Sequence, residues 1–329
     1  MDLMNLSGLA PELRPDGTPS KSDFPQMLKS MTSVRSQGQR GTCSIFSATA
    51  ELESMMVIRK GAPVTLDLSE EWLEYLVTSQ TGSEGSSSNA NFQALTQYGD
   101  VTEDQDPYVG ETWSSLSDSS LAQQLCGSLS GSDQATCLIA HRDPNLLADN
   151  GTLRDDDFTK IRQEAEAFRQ ANLQNVGTDY FVSPDQAKLL LSQGIPLTLD
   201  VHVVYYGAWN HREGTPLGIP LDAGNWAKGW VGYPEPDSID RDKSPSAPAG
   251  HSILIVGYDD NAVLTTNVQM EDGSQKTFTY QGVYYFKNSW GTDSFGADFQ
   301  ADGVSAPGYG AITQKYAEEF GSFYQLPLK

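Results

Sequence analysis

Gln37-Gly38-Gln39-Arg40-Gly41-Thr42-Cys43-Ser44-Ile45-Phe46-Ser47 is the stretch on which the reading of this chain turns. A glycine-bearing loop runs straight into a helical pattern. Ile45, Ala48, Thr49, Leu52, Met55 and Met56 recur at the i, i+3, i+4, i+7 spacing of a buried helix face. Thr42 stands at the N-cap position, and Gly61 with Pro63 stops the run after Lys60. The spacing predicts a helix over 42–60 with Cys43 at its N-terminus. Free backbone N–H groups and the helix dipole favour thiolate there, and thiolate is the nucleophilic form of cysteine. A side-chain amide from the loop, together with the N–H of Cys43, would supply two donors to a developing oxyanion.

A thiol nucleophile needs a base. Of the four histidines, His251 is the best placed, because Gly250-His251-Ser252 opens an apolar strand and leaves the imidazole at the rim of a core. Asn288 closes the next long strand, in Lys287-Asn288-Ser289-Trp290-Gly291. Its carbonyl can accept from one ring nitrogen and aim the other at sulfur.

Outward from these residues the chain reads as helices followed by strands, an α+β layout. Helices are expected from Ser69 (Glu70 and Glu71 in the first turn), over 89–98, over 155–172 with Phe158, Ile161, Ala165 and Phe168 on one stripe, and from the capping box Ser183-Pro184-Asp185-Gln186. Strand alternation runs over 196–206, an apolar strand over 252–258, a hairpin over 262–281 turning at Glu271-Asp272-Gly273-Ser274, and a further strand over 282–288. The expected organisation is an N-terminal arm, 1–24; a helical half, 25–180, with an insertion at 109–180; and a β-rich half, 181–329, with a long loop at 207–250.

The 329 residues carry 43 acidic and 21 basic side chains, a net charge of −22. Such a field repels phosphate backbones, so nucleic acid is an unsuitable partner. No run of about 18 apolar residues spans a bilayer, and no basic stretch docks on one. Of three cysteines, Cys126 and Cys137 lie close together while Cys43 stands apart, which suggests one disulfide and one free thiol. A disulfide points to an oxidising compartment, secreted or periplasmic. The start Met1-Asp2-Leu3-Met4 lacks the features of a signal peptide. No histidine, and no group of acids including Asp237, Asp240 and Asp242, has metal-ligand spacing, so no cofactor or metal is assigned.

At this point the chain resembles the papain-like cysteine peptidases. The family pattern Gln-Gly-x-Cys-Gly-Ser-Cys-Trp-Ala-Phe-Ser is recognisable in 37–47, its His-x-x-x-x-x-Gly-Tyr strand in His251 to Gly257-Tyr258, and Lys-Asn-Ser-Trp-Gly stands unaltered at 287–291. Leu68-Ser69-Glu70, Tyr98-Gly99 and Pro107-Tyr108 echo further blocks in order. The resemblance implies a two-lobed fold, a helical lobe facing an antiparallel β-barrel-like lobe across a cleft. It implies Cys43 as nucleophile in an ion pair with His251 as base and acid, Asn288 as orienting residue, Gln37 as oxyanion donor and Trp290 as a shield over the His251–Asn288 contact. Substrate would lie along Gly85 and Ser86, and Asp200 would stand in the main specificity pocket, where it suits a basic side chain. The implied reaction is peptide hydrolysis through a thioester. An amidase or acyl transferase using the same residues on a non-protein amide, and a binding protein that keeps the fold, are the alternatives. Polypeptide substrate is the expected partner, with a proteinaceous inhibitor or a removed prosegment as restraint.

Departures from the pattern are Arg40 and the loop Gly82-Ser83-Glu84-Gly85, which lack both cysteines of one family disulfide, Ser44 in place of Trp, and Ser86 in place of Gly. Ser86 is expected to narrow the groove. The insertion is either a tethered lid over the cleft or a decoration on the back of the helical half. Trp209, Trp226 and Trp230 are expected to pack the long loop onto the sheet.

Overall fold

A computed structural model of the chain describes residues 13–14, 17–148, 155–174 and 179–329. The pattern after Thr42 becomes helix α1, Cys43–Lys60, closed by Gly61 at φ 68°. It is buried along most of its length because it lies between the sheet and two further helices, α2 (Glu70–Thr81) and α3 (Ser88–Tyr98). The side chains of Ser69 and Ser87 cap these two by accepting from Trp72 N and Ala90 N.

The weakly patterned stretch after Tyr108 folds into short helices, among them α4 (Ser120–Cys126) and α5 (Gly131–Ala140). They are joined by the Cys126–Cys137 disulfide and share a small core with Trp113, Ala122 and Leu138. Helices this short carry too few turns for periodicity to show. Helix α6 (Asp156–Asn172) buries Phe158, Ile161 and Ala165. The Phe158 ring sits 5.8 Å from those of Trp72 and Tyr75. A Cβ on Gly99 would stand 1.9 Å from the Ala165 carbonyl oxygen, so only glycine lets α6 approach so closely. The stripe is thus covered by the helical half, and no residue of 109–148 lines the cleft described below. The capping box at Ser183 forms as expected and opens α7 (Pro184–Ser192).

The sheet strands are β1 (Phe181–Val182), β2 (Leu197–Val201), β3 (Trp230–Val231), β4 (His251–Gln269), β5 (Gln275–Lys287), β6 (Tyr309–Thr313) and β7 (Gly321–Tyr324). They lie in the order β1-β7-β2-β4-β5-β6-β3, all antiparallel except β3 against β6. The sheet is open, which corrects the barrel-like expectation. Its two edges, β1 and β3, are two-residue strands with no ladder between them, and closure needs paired edges.

Two strand expectations also change. Alternation over 196–206 gives a strand only to Val201, buried on both faces, because α1 covers one side and the sheet core the other. The three separate segments between 252 and 288 fuse into one long hairpin. Asp259 accepts from Asn261 N and Ala262 N, making a bulge where a break was expected. The termini cross between lobes: Phe24, Met27 and Met31 join the sheet-side core, while Leu326 joins the helical one.

Thiol titration of the native protein should find one cysteine, Cys43. Replacing Cys126 and Cys137 by serine should lower stability by about 2–3 kcal/mol, the scale for so short a closed loop. Non-reducing peptide mapping that recovers both thiols free would refute the bridge.

Candidate active site

The loop before α1 is held from three sides. Gly38 adopts φ +64°, and a Cβ there would lie 2.6 Å from the Gly110 carbonyl oxygen. Tyr108 Oη donates to Gln37 O at 2.9 Å, so the 2.7 Å contact with Thr42 has the threonine hydroxyl as donor. Thr42 occupies the N-cap position without capping, because its hydroxyl goes to Tyr108. The loop delivers the Gln37 amide beside Cys43. Ser289 Oγ donates to Gln37 Oε1 at 2.7 Å, and Gln37 Nε2 donates to Arg40 O at 2.8 Å, leaving one amide hydrogen unassigned.

Arg40 is fully buried. Its Nε donates to Glu84 Oε1 at 2.6 Å, Nη1 to Glu71 Oε2 at 2.9 Å and Val109 O at 3.2 Å, and Nη2 to Ile139 O at 2.8 Å. Glu74 stands 3.6 Å away. Glu84 Oε2 also accepts from Gly41 N. Glu84 lies in the very loop that lacks the cysteine expected to partner position 40, so a charge-assisted contact occupies the place of a covalent one.

His251 opens β4 opposite Val201, and its Nε2 lies 2.9 Å from Asn288 Oδ1. Asn288 follows directly on β5, and its Oδ1 also accepts from Ser289 N. Trp290 stacks on the imidazole, with centroids 4.5 Å apart and a 22° tilt, and Trp209 meets it edge-on at 5.3 Å. Trp209, expected only to pack the long loop, therefore also walls the His251 imidazole.

These residues meet at a cleft of about 580 Å³. Gln37, Cys43, Gly85, Ser86, Asp200, His251 and Trp290 all line it, and Asn288 sits behind His251. Ser86 lines the groove with its hydroxyl tied to two neighbouring side chains. It donates to Asn91 Oδ1 and accepts from Ser44 Oγ, both at 2.7 Å. Asp200 accepts from Ser88 N, Ser88 Oγ and Ser252 Oγ. Glu84, Ser88, Trp209, His211, Ser252 and Ser289 were not singled out for the site by the sequence, although Glu84, Ser252 and Ser289 lie within stretches quoted above; each takes its place by long-range packing. Asp240 accepts from Gly207 N, Ala208 N and Ser244 Oγ, so it serves backbone structure. Among the described residues no group of three or more His, Cys, Asp or Glu side chains is placed to hold a metal.

Burial sets the electrostatics. It pushes the Cys43 thiol up to about 11 and the His251 imidazolium down to about 4, the Asn288 bond acting the other way on the histidine. Each group alone is held neutral. An ion pair between them can form only by proton transfer from one to the other, with mutual attraction as its sole compensation. Burial likewise raises Glu74 and Glu103 to about 7 and Asp106 to about 6, and lifts Glu51, Glu70 and Asp100 well above the ordinary carboxyl range.

A sequence model described as papain family cysteine protease matches residues 18–177. No curated protein matches the sequence. Among solved structures, xylellain, a cysteine protease from Xylella fastidiosa, aligns with a TM-score of 0.54 and 15% identity over 99% of this chain and 94% of its own. The bromelain protease from Ananas comosus, in complex with the E64 inhibitor, aligns at 0.47 and 15% identity over 94% and 100%. At such identity the likeness to xylellain is one of fold.

Two outcomes are expected from this site. Arg40→Met leaves Glu71, Glu74 and Glu84 without their cation and should cost about 3–5 kcal/mol in urea unfolding; a loss below about 1 kcal/mol would show the network to be idle. The raised carboxyls bind protons more tightly folded than unfolded. Their contribution is therefore complete below about pH 4 and is lost as pH rises through about 6–7. His251, His211 and Lys287, all lowered by burial, run the other way and lose stability as pH falls, but they are three groups against six. The melting temperature should be higher at pH 5 than at pH 8, and the reverse order would sink this account.

Proposed function

From the premise that the chain belongs to the papain-like family of cysteine peptidases, we propose that it is an endopeptidase acting on polypeptides, with Cys43 as nucleophile. The observation that carries the reading is the convergence of Cys43, His251 and Gln37 on one cleft, with Asn288 bonded behind the imidazole. In the reaction Cys43 passes its proton to the free ring nitrogen of His251, and sulfur attacks the substrate carbonyl carbon. The oxyanion lies between the Cys43 N–H and the remaining Gln37 amide hydrogen. His251 then protonates the leaving nitrogen as the C–N bond breaks, and water activated by His251 releases the acid from the thioester. Asn288 fixes the ring tautomer and orientation, and Trp290 excludes water from that contact.

The acyl portion of the substrate runs along the backbone of Gly85 and Ser86, which is free for pairing because the Ser86 side chain turns away to Ser44. Asp200 gives that arm its charge preference, favouring a basic side chain. Three protein donors already bond its carboxylate, and one oxygen keeps a lone pair for a ligand. The cleft continues on both sides of Cys43, to Tyr324 one way and past Trp290 the other, which suits an internal stretch of chain. A secreted or periplasmic setting is supported by the Cys126–Cys137 bridge. Restraint by a proteinaceous inhibitor or a removed prosegment fits a cleft that residues 109–148 do not enter.

Incubation with a denatured protein, followed by mass spectrometry of the fragments, tests this directly. Cys43→Ala should abolish turnover. Asn288→Ala should keep measurable activity, its loss limited to the roughly 10²–10⁴-fold that acid–base catalysis is worth. Full activity of Cys43→Ala would end the reading.

A further inference from the structure

At the floor of the cleft one carboxylate is tied to both lobes. Asp200 lies on β2 directly opposite Ser252 of β4, one step from the Val201–His251 pair. Its Oδ2 accepts from Ser88 N at 2.8 Å and its Oδ1 from Ser88 Oγ at 2.6 Å, so the sheet lobe reaches the first residue of α3 in the helical lobe. Oδ1 also accepts from Ser252 Oγ at 2.5 Å. The Ser252 N–H in turn donates to the Cys43 sulfur. Ser252 therefore touches the carboxylate and the nucleophile together. Among the described residues lining the cleft, Asp200 is the sole carboxyl.

We propose that Asp200 is a positioning residue for the nucleophile: its carboxylate, fixed from both lobes beside Cys43, opposes the thiolate when charged and releases it when protonated. This rests on the peptidase reading. The surroundings hold the carboxylate in place. Three donors bond it, and the free N–H groups at the start of α3 favour a negative charge there. An anion so tied cannot turn away when sulfur loses its proton. The two negative charges then face each other across a buried floor, where repulsion is screened far less than in water. The opposition falls on sulfur rather than on the imidazole: Asp200 raises the Cys43 thiol, whereas His251 is lowered by its burial and by His211. Burial also pushes the Asp200 carboxyl above its ordinary range, so the opposition lifts in mild acid. The other titratable groups of the cleft are His202 on the same strand, which favours the ionised carboxylate, Tyr324 on β7, and His211 and His251. None of them is an anion near neutral pH, so none can take the place of Asp200. The nucleophile is thereby matched to a mildly acidic medium, the range in which the raised carboxyls favour the fold.

Alkylation by iodoacetamide reads the sulfur directly and needs no peptide in the cleft. The C–S bond forms as the C–I bond breaks, iodide leaves, and the thiol proton passes to His251. Cys43 is the one cysteine free to react, because Cys126 and Cys137 are bridged. Asp200→Asn keeps the shape and removes the charge, and Asp200→Ser is a second replacement without charge. Both keep His202, so any effect of that histidine stays in the comparison. At about pH 7.5 both variants should be alkylated about tenfold faster than the wild type, the scale of one pKa unit, and the ratio should narrow toward one as pH falls to about 4.5. Equal rates at every pH, or slower alkylation in both variants, would overturn the role and leave the peptidase reading standing. A tenfold ratio that does not narrow would mark a change of packing rather than of charge and likewise overturn it. Wild-type protein that still cleaves a denatured protein with Cys43 fully alkylated would remove the peptidase reading itself.

Discussion

The geometry of the cleft depends on one buried guanidinium. Arg40 sits at the start of the turn into α1, and its fork reaches the groove loop at Glu84, helix α2 at Glu71 and the insertion at Val109 and Ile139. Its own carbonyl takes the Gln37 amide. One side chain therefore ties together the Gln37 amide, the rim of the groove and the disulfide-held subdomain. Burying such a charge is costly, and the three carboxylates around it meet that cost only while every donor is matched. Lysine lacks the planar fork and could not reach them all.

The departures from the family pattern occur in complementary sets. Arg40 faces Glu84 across the gap where two cysteines are missing, and Ser44 faces Ser86 across the groove loop. In the second set, a hydroxyl chain from Ser44 to Ser86 to Asn91 fixes the same loop from within. A lone serine at position 86 would look like an obstruction. With its partner in view it is also an anchor for that loop.

What was legible in the sequence was local. Helix α1, its Gly61 stop, the capping box at Ser183 and the turn at Asp272 each rest on interactions within a few residues, and each formed where the pattern placed it. Cys43 and Asn288 were legible because each stands at the end of a long regular element. The failures were long-range. Strand β2 reads as alternating, yet both its faces are buried because α1 covers one of them. The insertion helices are too short to show a period, and Glu84, Ser289 and Trp209 acquire their roles only from residues more than forty positions away.

Two indole rings wall the His251 imidazole. Trp209 and Trp290 remove water from two sides of the imidazole, and the same burial holds it neutral while holding the thiol protonated. In water such a pair would gain little from exchanging a proton, because solvent screens the attraction that results. In the walled cleft an exchanged proton creates opposite charges whose attraction is screened far less. The same burial penalises each charge, so the pair gains only where that attraction exceeds both desolvation costs. Displacing the remaining water from the cleft strengthens that attraction further.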